Sequence, residues 1–164
     1  MYRWAKIACV LAATTLATSA WAGDVQPRDP GHIGIGIGGH TRTSGLSAKY
    51  TVREALSLQG VVGIDPGVHD QRGGSLALSG SGLVEMPAIA ENDDVELGWC
   101  VGAGPDLTVG GDFFIRAHAV LGLEVNVKPL PVEFSLEYRP SIGLVGYDFG
   151  PQMLEFGGHL RYWF

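Results

Sequence analysis

From His32 onward, apolar and polar positions alternate with a period of two, and clusters of Gly, Pro, Asp and Asn interrupt the alternation. A period of two sends successive side chains to opposite sides of an extended backbone, so each uninterrupted stretch predicts a strand with two unlike faces. Eight stretches have this character: His32 to Thr41, Gly45 to Val52, Ala55 to Ile64, Ser75 to Met86, Val95 to Gly104, Phe113 to Val127, Pro131 to Arg139 and Leu154 to Phe164. The first alternates Ile33, Ile35 and Ile37 with Gly34, Gly36 and Gly38. The last sets Leu154, Phe156, Gly158, Leu160, Tyr162 and Phe164 against Glu155, Gly157, His159, Arg161 and Trp163. Short connections are expected at Arg53-Glu54, Pro87 to Asp94 and Lys128 to Pro131 on one end. On the other end they are expected at Thr41 to Ser44, Asp65 to Gly74, Pro105 to Asp112 and Pro140 to Pro151. The pattern predicts an all-β chain.

The first residues follow a different rule. Met1 to Lys6 contains Arg3 and Lys6, Ile7 to Ala17 is apolar apart from two threonines, and Ala20-Trp21-Ala22 has small residues around a cleavage position. These features predict a secretory signal peptide over residues 1–22, cleaved after Ala22, with residues 23–164 as one domain. The apolar core is too short for a transmembrane helix, which needs about 20 residues. Cys9 precedes most of that core, so lipidation is not expected.

The alternating strand that closes on the aromatic Phe164 resembles the terminal strand of bacterial outer-membrane β-barrels. The run Leu121 to Pro140 is similar to their paired strands and tight periplasmic hairpin. Together with the leader and the alternation, these residues give the chain a resemblance to small outer-membrane barrels of the OmpA/OmpX type. The resemblance implies an eight-stranded antiparallel up-and-down transmembrane β-barrel in the cell outer membrane, monomeric and surrounded by outer-membrane lipids. It also implies that Phe156, Leu160, Tyr162 and Phe164 form the signal read by the barrel assembly machinery, and it supplies no reaction.

Alternation by itself suits a soluble barrel with its apolar face inside as well as a membrane barrel with that face outside. The polar face is mostly Gly, Ser and Ala with a few charges of both signs, a composition suited to a crowded lumen. Tyr50, Trp99, Phe113, Tyr138, Tyr162 and Phe164 fall near strand ends, where aromatic girdles sit. Both observations favour the membrane arrangement.

The formal net charge is −6, and Lys49 and Lys128 are the only lysines beyond the leader. Nucleic-acid binding needs clustered basic charge and is excluded as a function class. Cys100 is the only cysteine after the leader, so no intrachain disulfide is expected. Gly34 to Gly39 matches G-x-G-x-x-G in letters only, because it lies within a strand instead of opening a helix. The five histidines show no ligand spacing and no metal or cofactor is expected.

One set of residues shares the inward parity of the last three strands: Arg116, His118, Glu124, Glu133, Glu137, Arg139, Glu155, His159 and Arg161. Buried charges persist only when paired, so this set predicts a polar network across the lumen. The expected function is therefore non-enzymatic: envelope structure, surface contact or limited permeability. Two alternatives are a lipid-modifying enzyme, for which Ser135, His118 and Glu137 are the nearest candidates, and a soluble periplasmic lipocalin-like barrel holding an apolar ligand. The enzyme is disfavoured because all three candidates project inward, away from lipid.

Overall fold

The computed structural model describes residues 27–65, 75–110, 113–146 and 149–164; the expected leader, residues 1–22, lies outside them. Among the described residues there are ten strands: β1 (Ile33–His40), β2 (Thr43–Arg53), β3 (Leu56–Asp65), β4 (Ser75–Glu91), β5 (Val95–Val109), β6 (Phe114–Val127), β7 (Val132–Tyr138), β8 (Ser141–Val145), β9 (Gly150–Gln152) and β10 (Phe156–Trp163). Neighbours pair antiparallel from β1 through β7, and β10 joins β7 to β1. The result is a closed antiparallel barrel with an eight-stranded wall. Among the described residues each of β1 to β7 and β10 has a paired neighbour on both sides, whereas β9 pairs with β8 alone.

The two extra strands come from a break at Arg139-Pro140. β6 pairs with β7 over Leu121–Val127 and with β8 over Ile115–His118, so β7 and β8 occupy the same side of β6 in succession. The break stays hydrogen-bonded: Ala119 N–H donates to the Pro140 carbonyl at 2.9 Å, and Arg139 N–H to the Glu155 carbonyl at 2.8 Å. The connection expected over Pro140 to Pro151 thus contains the β8–β9 hairpin.

Two further connections are shorter than expected. β5 continues through Pro105 to Val109, with Asp106 and Thr108 buried and Leu107 and Val109 on the opposite face. Proline punctuates the sequence there, but the period of two runs on beyond it. β4 likewise runs to Glu91, with a register break between Met86 and Ala90 that absorbs Pro87. The turn is then only Asn92 to Asp94, held by the Asn92 Oδ1 atom accepting from the Asp94 and Val95 amides at 2.9 and 2.7 Å.

The faces are inverted relative to a water-soluble barrel. Ile37, Leu46 and Leu136 are 62, 67 and 62% exposed on the outer wall. Trp163, Arg116, Arg139, Arg161, Lys49 and Phe114 are the largest fully buried side chains among the described residues. Glycines on β1 make room for some of them: a Cβ at Gly34 would lie 2.8 Å from the Trp163 indole, and one at Gly38 would lie 2.2 Å from His159 Nδ1. A small apolar cluster of Leu83, Cys100 and Val120 fills the lumen on the β4–β6 side.

Candidate functional site: the charged lumen

All nine inward residues singled out in the sequence are buried, from Glu133 at 0% exposure to His159 at 5%. They join into tiers along the barrel axis, together with partners from β2 to β5.

Nearest the end that carries the Arg53-Glu54 turn, the Lys49 ammonium donates to Glu124 Oε1 at 2.6 Å. It stands 3.0 Å from Glu85 Oε1 and 3.5 Å from Glu133 Oε2. The Trp163 ring lies 5.9 Å from Lys49 Nζ. In the middle tier Arg161 ties three strands together: Nη1 donates to Glu133, Nη2 to Gln59 Oε1 at 2.6 Å and Nε to Ser47 Oγ at 2.9 Å. Gln59 Nε2 passes the chain on to Glu137 Oε1 at 2.8 Å. His159 lies between Ser47 Oγ, 3.0 Å from Nδ1, and Glu137 Oε2, 3.4 Å from Nε2.

Arg139 links this tier to the next. Its Nη1 donates to Glu137 Oε2 at 2.7 Å, and its Nη2 to Ser79 Oγ at 2.9 Å and His118 Nε2 at 2.7 Å. Beyond it Arg116 bridges Glu155 Oε1 at 2.7 Å and Asp106 Oδ2 at 3.4 Å, and Ser141 Oγ donates to Glu155 Oε2 at 2.7 Å. Arg116 also lies over the Phe114 ring at 5.2 Å. Each carboxylate, arginine and lysine of these tiers thus faces an opposite charge, which offsets the cost of removing it from water.

Ser135, His118 and Glu137, the nearest candidates for a hydrolase, are not brought together. Ser135 Oγ has no hydrogen-bond partner among the described residues, and Glu137 is held by Gln59 and Arg139. His118 meets a different pair: Ser81 Oγ lies 2.8 Å from Nε2, and Asp106 Oδ1 lies 3.1 Å from Nδ1. The order of groups is that of a nucleophile, a base and an orienting acid. Arg139 nevertheless competes with Ser81 for the same imidazole nitrogen, and the three residues are only 2 to 6% exposed. All three residues are thereby tied into the hydrogen-bonded network of the lumen.

Glu85, Cys100 and Glu124 form a cluster of metal-ligating types among the described residues, with ligand atoms within 4.8 Å of one another. The Lys49 ammonium already contacts both carboxylates, at the position where a cation would balance them.

The four residues of the expected assembly signal lie on the outer wall. Phe156, Leu160 and Phe164 are 55, 40 and 41% exposed, and Tyr162 is half-buried against Phe164, with ring centroids 4.9 Å apart. Sequence reasoning left Arg28, Lys49, Gln59, Glu85 and Asp106 out of the network. Lys49, Gln59 and Glu85 carry the same inward parity as the nine and could have been found by extending that count to the first strands. Asp106 was hidden by reading Pro105 as a strand end.

No protein-family profile, curated protein or solved structure matches this chain.

Proposed function

We propose that the protein is a non-enzymatic barrel of the bacterial outer membrane, monomeric, with a role in envelope structure, surface contact or limited permeability. The observation that carries this reading is the inversion of polarity: aliphatic side chains cover the wall, while the charges are enclosed. In water such an arrangement would forgo the hydrophobic contribution of each exposed Leu or Ile, about 1.5–3 kcal/mol per side chain, and would bury charge around only a small apolar cluster. In a bilayer the same wall is matched to its solvent and the polar lumen is shielded from it. A closed ring is also one of the two backbone arrangements that lipid tolerates.

The interlocked lumen favours the structural and surface roles over conduction. Ions crossing it would have to part Arg161 from Glu133 and Arg139 from Glu137. Surface contact would fall to the end of the barrel that carries the β8–β9 hairpin. A leader of the kind expected over residues 1–22 would deliver the chain to the assembly machinery and the outer-membrane lipids that the reading requires.

Cell fractionation combined with a heat-modifiability gel tests the proposal. The intact chain is expected in the outer-membrane fraction, migrating as a compact band until boiled. Recovery of the folded chain wholly in the periplasmic soluble fraction would overturn it and favour the soluble barrel with an apolar ligand.

A further inference from the structure

Arg28 precedes the first strand, yet its guanidinium is enclosed by the mouth of the barrel, with 16% of the side chain exposed. The segment that carries it is anchored to β2. Thr51 Oγ1 donates to the Pro27 carbonyl at 3.3 Å, and Gly31 N–H donates to the Thr51 carbonyl at 2.8 Å. Gly31 has φ +87°, a left-handed conformation that lets the segment fold across the mouth before β1 begins.

The surroundings of the guanidinium are specific to its planar fork. Nη1 donates to the Met86 carbonyl at 2.7 Å and Nη2 to the Trp99 carbonyl at 3.3 Å. Three carboxylates complete the ring: Glu96 Oε1 is 3.2 Å from Nε, and Glu124 Oε2 and Glu85 Oε2 are 3.4 and 3.6 Å from Nη2. Two irregularities of the wall build this socket. Met86 is the residue at which the β4–β5 register breaks, beside Pro87, so its carbonyl lies at an interruption of the ladder. Gly98 supplies the space, since a Cβ there would stand 2.0 Å from Arg28 Nη2. Lys49 alone does not balance the three carboxylates. A compact ammonium could not reach both carbonyls and the acids at once, as a guanidinium does.

We propose that this mouth is a guanidinium-binding site, filled in cis by Arg28, that takes a free alkylguanidinium ion when Arg28 is absent. The site depends on the socket geometry and not on what faces the outer wall, so it stands or falls separately from the membrane reading.

The test uses the whole folded chain, in detergent or in buffer according to where it is recovered, with Arg28→Ala. Ethylguanidinium and ethylammonium are compared at equal millimolar concentration and ionic strength, and the readout is the thermal midpoint of the compact band. Arg28→Ala is expected to lower the midpoint, ethylguanidinium to recover most of the loss and ethylammonium little of it. The unsubstituted chain should respond equally to both ions. Adding Gly98→Ala to Arg28→Ala should abolish the preference, because the methyl group occupies the socket. If Arg28→Ala does not fold unaided, the yield of compact band on refolding with each ion gives the same comparison. Equal effects of the two ions on Arg28→Ala, or a preference that survives Gly98→Ala, would overturn the proposal.

Discussion

Strand β7 sets Phe134 and Leu136 on the outer wall at 50 and 62% exposure, and Glu133 and Glu137 in the lumen at 0 and 1%. The outer residues face cross-strand neighbours of the same kind: Leu136 lies opposite Leu123 on β6, and Phe134 opposite Val125. One aliphatic group can replace another there with little consequence, because apolar contact is non-directional. The inner residues are not interchangeable. Glu137 accepts from Gln59 and Arg139, and Glu133 from Arg161, with fixed atoms meeting fixed atoms. One backbone therefore carries a face specified only by its polarity and a face specified pair by pair.

The largest effect should come from removing one member of a lumen pair. Glu137→Leu leaves the Arg139 guanidinium buried beside His118 and His159 with its closest carboxylate gone, and should destabilise the barrel by about 3–5 kcal/mol. Chemical unfolding in lipid vesicles would measure it, and an unchanged midpoint would mean that the lumen pairs do not hold the barrel. Next in size is Leu136→Arg on the wall, expected to cost about 2–4 kcal/mol in bilayers because the charge would face hydrocarbon. A neutral result there would indicate that the wall meets water and not lipid.

The neighbouring inward residue gives the contrast within the lumen itself. Ser135 Oγ is buried without a hydrogen-bond partner among the described residues, so Ser135→Ala removes no pair seen there and should cost less than about 1 kcal/mol. A loss comparable to that of Glu137→Leu would mean that lumen packing, not pairing, dominates. The smallest effect is expected at the turn, where Lys128 donates to Glu91. That hydrogen bond raises the Lys128 pKa above its ordinary 10.5. Its contribution is therefore present below 10.5 and is lost as pH rises through the raised value. Exposed pairs of this kind contribute little. Lys128→Met should leave the neutral-pH midpoint within error, and any difference from the unsubstituted chain should vanish at strongly alkaline pH.

Much of the wall was legible in advance because the period of two is a local property. The eight alternating segments all correspond to wall strands, and the assignment of Ile33, Ile35 and Ile37 to one face and Gly34, Gly36 and Gly38 to the other describes β1 as it stands. The departures cluster at three prolines: strands run on past the ends expected at Pro87 and Pro105, and the β8–β9 hairpin follows Pro140. Proline removes one donor from a ladder, but a register break absorbs it at Pro87, and β5 simply carries Pro105 opposite Ala117. At Pro140 it divides one wall position into β7 and β8.

What the sequence determined by itself is the division of each strand into an apolar and a polar face, since side-chain direction alternates along any extended chain whatever it packs against. It also determined which charges must travel together, because parity within a strand admits no exception short of a bulge. Alternation left open which face points outward; the composition of the polar face favoured an apolar exterior, and the closed ring places the aliphatic side chains there. Only the tertiary structure decided the partners: Lys49 on β2 meets Glu124 on β6 across the lumen, 75 residues away in the chain, because closure brings opposite walls within a side chain's reach. The socket for Arg28 belongs to the same category, since it needs a register break, a missing Cβ and three acids from β4, β5 and β6 in one place.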